Sequence, residues 1–234
     1  GMPMQTPEGD GYAHLDVRRP EVYYGELTDT YTLVGTTSRE LDYTVDAASR
    51  YTTYEGTGGV SIGVGDPLRR WAFASRLRRP LRVATSRALT KDTRVMLHRN
   101  VLPRAKRLAP FLKFDPDPFI VIGQDTGKLW WIIDLYTTTD HFPYAMPFEP
   151  RDENNARIRD LGGDIHDEPD FRRLNYIRNS AVAVVDAYNG AVRFYVTDED
   201  DPLITVYRSH YPELFSPVDE MPTELRAHLR YPDY

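Results

Sequence analysis

Apolar positions change their period along this chain, and each change marks an element. Between Glu21 and Tyr43 short runs rich in β-branched and aromatic residues, Glu21–Tyr24 and Tyr31–Val34, predict strands. Tyr51–Glu55 predicts another. From Asp66-Pro67, a helix-start pair with Asp as cap and Pro in the first turn, helical spacing continues to about Leu112. Breaks fall at Pro80 and at Thr90–Asp92. Asp92 is expected to cap a helix holding Met96, Leu97, Val101 and Leu102, with Pro103 forcing a kink or a new first turn. Beyond Pro118 the period returns to strands. Phe119–Ile122 and Leu129–Ile133 flank the turn residues Gln124–Gly127, while Ala181–Val185 and Val192–Val196 flank Tyr188-Asn189-Gly190. Two look-alike hairpins result. Asp201-Pro202 and Pro222 open two short C-terminal helices. Strands and helices without regular βαβ alternation predict an α+β fold: mostly antiparallel hairpins, a helical segment over about 66–112, and short C-terminal helices.

The stretch 148–174 is polar, punctuated by Gly and Pro, and reads as a variable, insertion-like loop. Residues 1–17 read as a frayed leader in which Gly1-Met2 resembles a tag remnant before a start codon. Residues 18–234 are then expected to form a single domain. A length of 234 residues with 41% hydrophobic and 27% charged composition suffices for a packed core. With no cysteine, disulfides and thiolate chemistry are excluded.

Charge changes the picture. Leu68 to Arg107 holds thirteen Lys and Arg against Asp92 alone, within a chain of net charge −6. The plainer reading is a solvated helical face paired with the acidic remainder. The sharper one is contact with a membrane surface through segment 68–107, where Leu68, Trp71, Phe73 and Leu77 interrupt the arginines. The net acidity argues against nucleic acid.

Several segments together resemble a known family. They are Arg19–Glu26 (RPEVYYGE), Tyr51–Gly59 (YTTYEGTGG), Ala109–Asp115 (APFLKFD), Leu129–Thr138 (LWWIIDLYTT), Asn175–Ser180 (NYIRNS), Val185–Gly190 (VDAYNG) and Glu224–Pro232 (ELRAHLRYP). In this order they resemble Uncharacterised Protein Family 0182, large bacterial proteins with several membrane spans and a big extracytoplasmic region. The resemblance implies that the chain is a fragment or shortened relative of a multi-pass cell-membrane protein and lies on the outer side of that membrane. Its own membrane-embedded region or other envelope components would be its partners. No reaction is implied.

No motif fixes chemistry. The Gly-rich run Gly56–Gly65 lacks a phosphate-loop pattern, and no G-x-S-x-G elbow or His pair at metal-binding spacing occurs. We therefore expect no catalytic residue, metal or cofactor. The acidic stretches at Asp115, at Asp164 to Glu168 and at Asp198 to Asp201 miss calcium-loop spacing and read better as caps and turns. The richest constellation is polar and aromatic: Tyr54, Glu55, Tyr136, Thr138, Asp140, Asn175, Arg178 and Asn179. Such side chains suit a sugar or an extended peptide. They equally suit sheet faces and loop ties. A non-enzymatic binding module is the leading expectation. A carboxylate hydrolase using, for example, Glu55 and Asp134, and a structural or oligomerisation domain, are the alternatives.

Overall fold

The computed structural model describes residues 17–38, 40–45, 48–62, 67–76, 88–147 and 174–230. The fold is α+β, and the chain divides into two compact units. The first comprises Gly1–Pro20, Val101–Asp186 and Val192–Tyr234; the second comprises Glu21–Asn100 with Ala187–Ala191. The leader, up to residue 16, and the loop at 148–173 lie outside the described residues.

The first unit is built on a six-stranded sheet: β6 (Lys113–Phe114), β7 (Phe119–Ile122), β8 (Leu129–Thr139), β9 (Tyr176–Asp186), β10 (Val192–Val196) and β11 (Phe215–Pro217). The two expected hairpins are β7–β8 and β9–β10, and β8 pairs with β9 to join them. All pairings are antiparallel except β10 with β11. On one face Val121, Ile132, Val182, Val184 and Tyr195 pack with Met221, which closes the short helical turn Val218–Glu220, and with Leu225 of α4 (Thr223–Arg226). Ile133, Leu135, Ala181, Ala183, Val185, Phe194 and Val196 alternate with these and are equally buried. On that side α2 (Val101–Leu108) packs on β9, and α3 (Pro202–His210) packs on β8. Burial on both faces explains why β8 and β9 read as nearly continuous apolar runs.

The register shifts by one residue where Leu135 faces Ala181 but Tyr136 faces Asn179. Ser180 is the extra residue of this bulge, and the bulge redirects its hydroxyl.

The second unit holds a three-stranded sheet of β1 (Thr32–Val34), β5 (Arg94–Met96) and β4 (Val60–Ser61), the hairpin β2 (Glu40–Val45) with β3 (Ala48–Thr52), and α1 (Pro67–Arg76). One core cluster of this unit is Ile62 and Val95, with Tyr31, Leu33, Phe73 and Leu97 packed around them. The helix expected after Asp92 is instead β5. Val95 and Met96 are fully buried, and β5 lies between β1 and β4, so sheet pairing outweighs a helical spacing borrowed from the neighbouring segments. Pro103 falls in the first turn of the separate helix α2, where its missing N–H costs nothing. Glu21–Tyr24 is not a strand either: Tyr23 and Tyr24 both donate their backbone N–H to the Ala187 carbonyl. No helix among the described residues is long and apolar enough to cross a membrane.

Candidate functional site

The eight nominated residues divide between the units. Tyr54 and Glu55 belong to the second, and Tyr136, Thr138, Asp140, Asn175, Arg178 and Asn179 to the first.

In the second unit Tyr54 follows β3 and is buried, while Glu55 is exposed. The Tyr54 ring stacks on Tyr188 at 4.9 Å and meets Tyr23 edge-on at 4.9 Å. Its hydroxyl donates to Asn189 Oδ1 at 2.9 Å and accepts from the Gly58 N–H at 2.6 Å. Asn189 Oδ1 also accepts from Thr57 N–H, and Tyr188 Oη accepts from Glu55 N–H. Arg94 closes the other side of this loop by donating to the carbonyls of Thr57, Gly58 and Gly59. Arg99 likewise donates to the Tyr23 and Thr30 carbonyls. Two arginines of the basic segment are thus spent on backbone oxygens. Burial pushes the Tyr54 phenol up to about 12, so it stays protonated and keeps donating at neutral pH. Tyr23, which donates to Glu40, is raised further by burial and by that carboxylate. We expect Tyr54→Phe to lower stability by about 1–2 kcal/mol and to speed exchange of the Thr57 and Gly58 amides, read by hydrogen exchange. Unchanged protection at both amides would show that the hydroxyl does not hold the loop.

In the first unit two polar networks occupy opposite faces of β8–β9. On one, fully buried Tyr136 donates to Asp115 Oδ2 at 3.0 Å, and Asn179 donates to Asp134 Oδ1 at 3.4 Å. Asp115 and Asp134 are both buried, and the Asp115 N–H donates to the Asp134 carbonyl. Burial and then Asp115 raise the Tyr136 phenol far above neutrality, which suits a fixed donor and not a proton shuttle. Asp115 Oδ1 also accepts from Asp117 N–H, a local turn of the kind expected for this acidic stretch.

On the other face Asp201 is fully buried and caps α3. Its Oδ2 accepts from Thr137 Oγ1 and Ser180 Oγ, both at 2.5 Å. Its Oδ1 accepts from Tyr176 Oη at 2.6 Å and Leu203 N–H at 3.0 Å. Sequence reasoning found Asp201 as a cap but missed Ser180, because a bulge leaves no mark in the alternation of β9. Next to this network Arg178 pairs with Asp198.

Asn175 works as a loop clamp. Its Nδ2 donates to the carbonyls of Phe142 and Ala145, and its Oδ1 accepts from Phe142 N–H. Phe142 stacks on Tyr176 at 4.4 Å. Thr138 is half-buried, and Asp140 is exposed and pairs with His141. The structure therefore joins Tyr136 with Asn179 through the acids, and Asn175 and Arg178 to the surroundings of Tyr176. Glu55 and Asp134, the pair named for hydrolysis, lie in different units. No cluster of three or more His, Asp or Glu able to hold a metal occurs among the described residues.

The model of an uncharacterised protein family, UPF0182, matches residues 3–234. A UPF0182 protein of Alkaliphilus metalliredigens is 42% identical over 219 residues, covering 93% of this chain and 20% of the relative. One from Pelotomaculum thermopropionicum is 41% identical over 222 residues, covering 95% of the chain and 21% of the relative. One from Nostoc sp. is 39% identical over 229 residues, covering 94% and 20%. The chain thus spans about a fifth of the length of these relatives. No solved structure matches it. On the match across nearly its whole length, the chain belongs to the UPF0182 family.

Proposed function

We propose that this region is a non-catalytic extracytoplasmic module of a larger membrane protein, acting by binding a partner protein or a cell-envelope component. The observation that supports the non-catalytic part of this reading, and that moves binding to other surfaces of the region, is how the polar side chains are used. Tyr54, Tyr136, Asn175, Arg178 and Asn179, the residue types that would greet a sugar or peptide, are each bonded to a carbonyl, amide or carboxylate of the fold itself. The Tyr54 and Tyr136 phenols, raised by burial, stay protonated and serve as fixed donors to Asn189 and Asp115. The chain covers only 20% of one relative, which leaves length for membrane-embedded segments elsewhere in the whole protein.

The test uses a full-length family member containing this region. Alkaline phosphatase inserted beside the region should be active and green fluorescent protein at the same point dark; the reverse pattern would place the region in the cytosol and end the proposal. In the same protein, Glu55→Gln and Asp134→Asn should leave any substrate turnover found in an envelope-polymer screen unchanged. Turnover abolished by either carboxamide would replace binding with hydrolysis.

A further inference from the structure

We propose that α1 is a foot that seats on an anionic lipid surface. The helix is held to its unit through Phe73, which packs beside Ile62 and Val95. On helical spacing of about 100° per residue, Leu68, Trp71, Ala72 and Ser75 share one arc, turned well away from Phe73. That arc faces solvent: Leu68 is 80% and Trp71 65% exposed. A large aliphatic and an indole side by side on an exposed helix are what the interfacial zone of a bilayer takes up, because the indole is apolar over its ring and polar at its N–H. Charge selects the lipid. From Leu68 to Lys91 there are eight Lys and Arg and no Asp or Glu, although the chain as a whole is acidic at −6. Arg69 lies on α1 to one side of the apolar arc, about 100° from Leu68, and the helix carries no Asp or Glu. The proposal rests on the module lying at a membrane. Lipid partition is read in vitro and location by the reporter fusions, so either can fail alone.

The experiment is flotation of this chain with vesicles of phosphatidylglycerol and phosphatidylethanolamine, against vesicles of phosphatidylcholine. Wild type should float with the anionic vesicles, with a blue shift of tryptophan emission, and stay behind with the zwitterionic ones. Leu68→Ser with Trp71→Ser should weaken anionic binding about tenfold or more, from the apolar area withdrawn from insertion. Melting and the far-ultraviolet spectrum should be unchanged, because both side chains are exposed. Trp71→Ser alone gives an intermediate result and serves where the double variant folds poorly. Absence of anionic binding, equal binding by wild type and double variant, or retention by soluble polyglutamate without vesicle binding would each overturn the proposal, the last in favour of an acidic protein partner.

Discussion

Replacing Asp201 with Ala should lower the unfolding free energy by about 3–4 kcal/mol, roughly 1 kcal/mol from the lost helix cap and the remainder from three hydroxyls losing a charged acceptor, which the Arg178 carbonyl at 3.4 Å replaces only weakly for Thr137 and Ser180. The side chain accepts from Thr137, Ser180, Tyr176 and the Leu203 N–H, and it is fully buried. Removing it leaves an apolar gap facing three hydroxyls and an open helix end. Asp201→Asn should cost less, about 1–2 kcal/mol, because Oδ1 still caps α3 and the Thr137 and Ser180 hydroxyls can rotate to accept from the new amide. The ordering wild type, Asn, Ala would appear in urea midpoints at constant slope. A loss under about 1 kcal/mol for the Ala variant would show that water replaces the carboxylate without penalty.

The same carboxylate sets an acid limit. Burial pushes its pKa upward, but the hydrogen bonds from Ser180, Thr137, Tyr176 and Leu203 outweigh burial and hold it below the ordinary 3.8. A carboxylate depressed in the folded state contributes its full stabilisation above the unfolded value. That contribution fades as pH falls through the folded one. Wild type should therefore lose stability progressively below about pH 4, and Asp201→Asn should show a flatter profile over that range.

What was legible in the sequence follows the range of the forces involved. The hairpins, the Asp201-Pro202 helix start and the last helix at Pro222 are encoded by neighbours in sequence, and all three are present. The α+β class followed from them. β5 was not legible, because Arg94–Met96 becomes a strand only through partners at Thr32–Val34 and Val60–Ser61. β11 was missed for the same reason: Phe215–Pro217 pairs in parallel with β10, from which it is separated by α3. Of the candidate residues, Tyr54, Tyr136, Asn175, Arg178 and Asn179 are bonded within the fold itself. Those bonds depend on partners 135 residues away for Tyr54 and 21 for Tyr136, which composition and spacing cannot register.

Gly190→Ala should be the second severe change, costing about 2–4 kcal/mol: roughly 1 kcal/mol or more for a non-glycine residue in the left-handed region, and the rest for overpacking. Gly190 has φ +72°, the conformation that the Asn189-Gly190 pair signals in the sequence. A Cβ built there would sit 2.5 Å from the ring carbons of Tyr24, a side chain only 1% exposed. The ring cannot retreat into a packed interior without displacing its neighbours. Gly190→Asn separates the two contributions, since Asn tolerates positive φ yet still carries a Cβ. It should remain clearly destabilised, by about 1–3 kcal/mol from the ring overlap alone. Denaturation of both variants against wild type provides the comparison. An Asn variant as stable as wild type would mean that backbone conformation, and not the closeness of Tyr24, is what reserves this position for glycine.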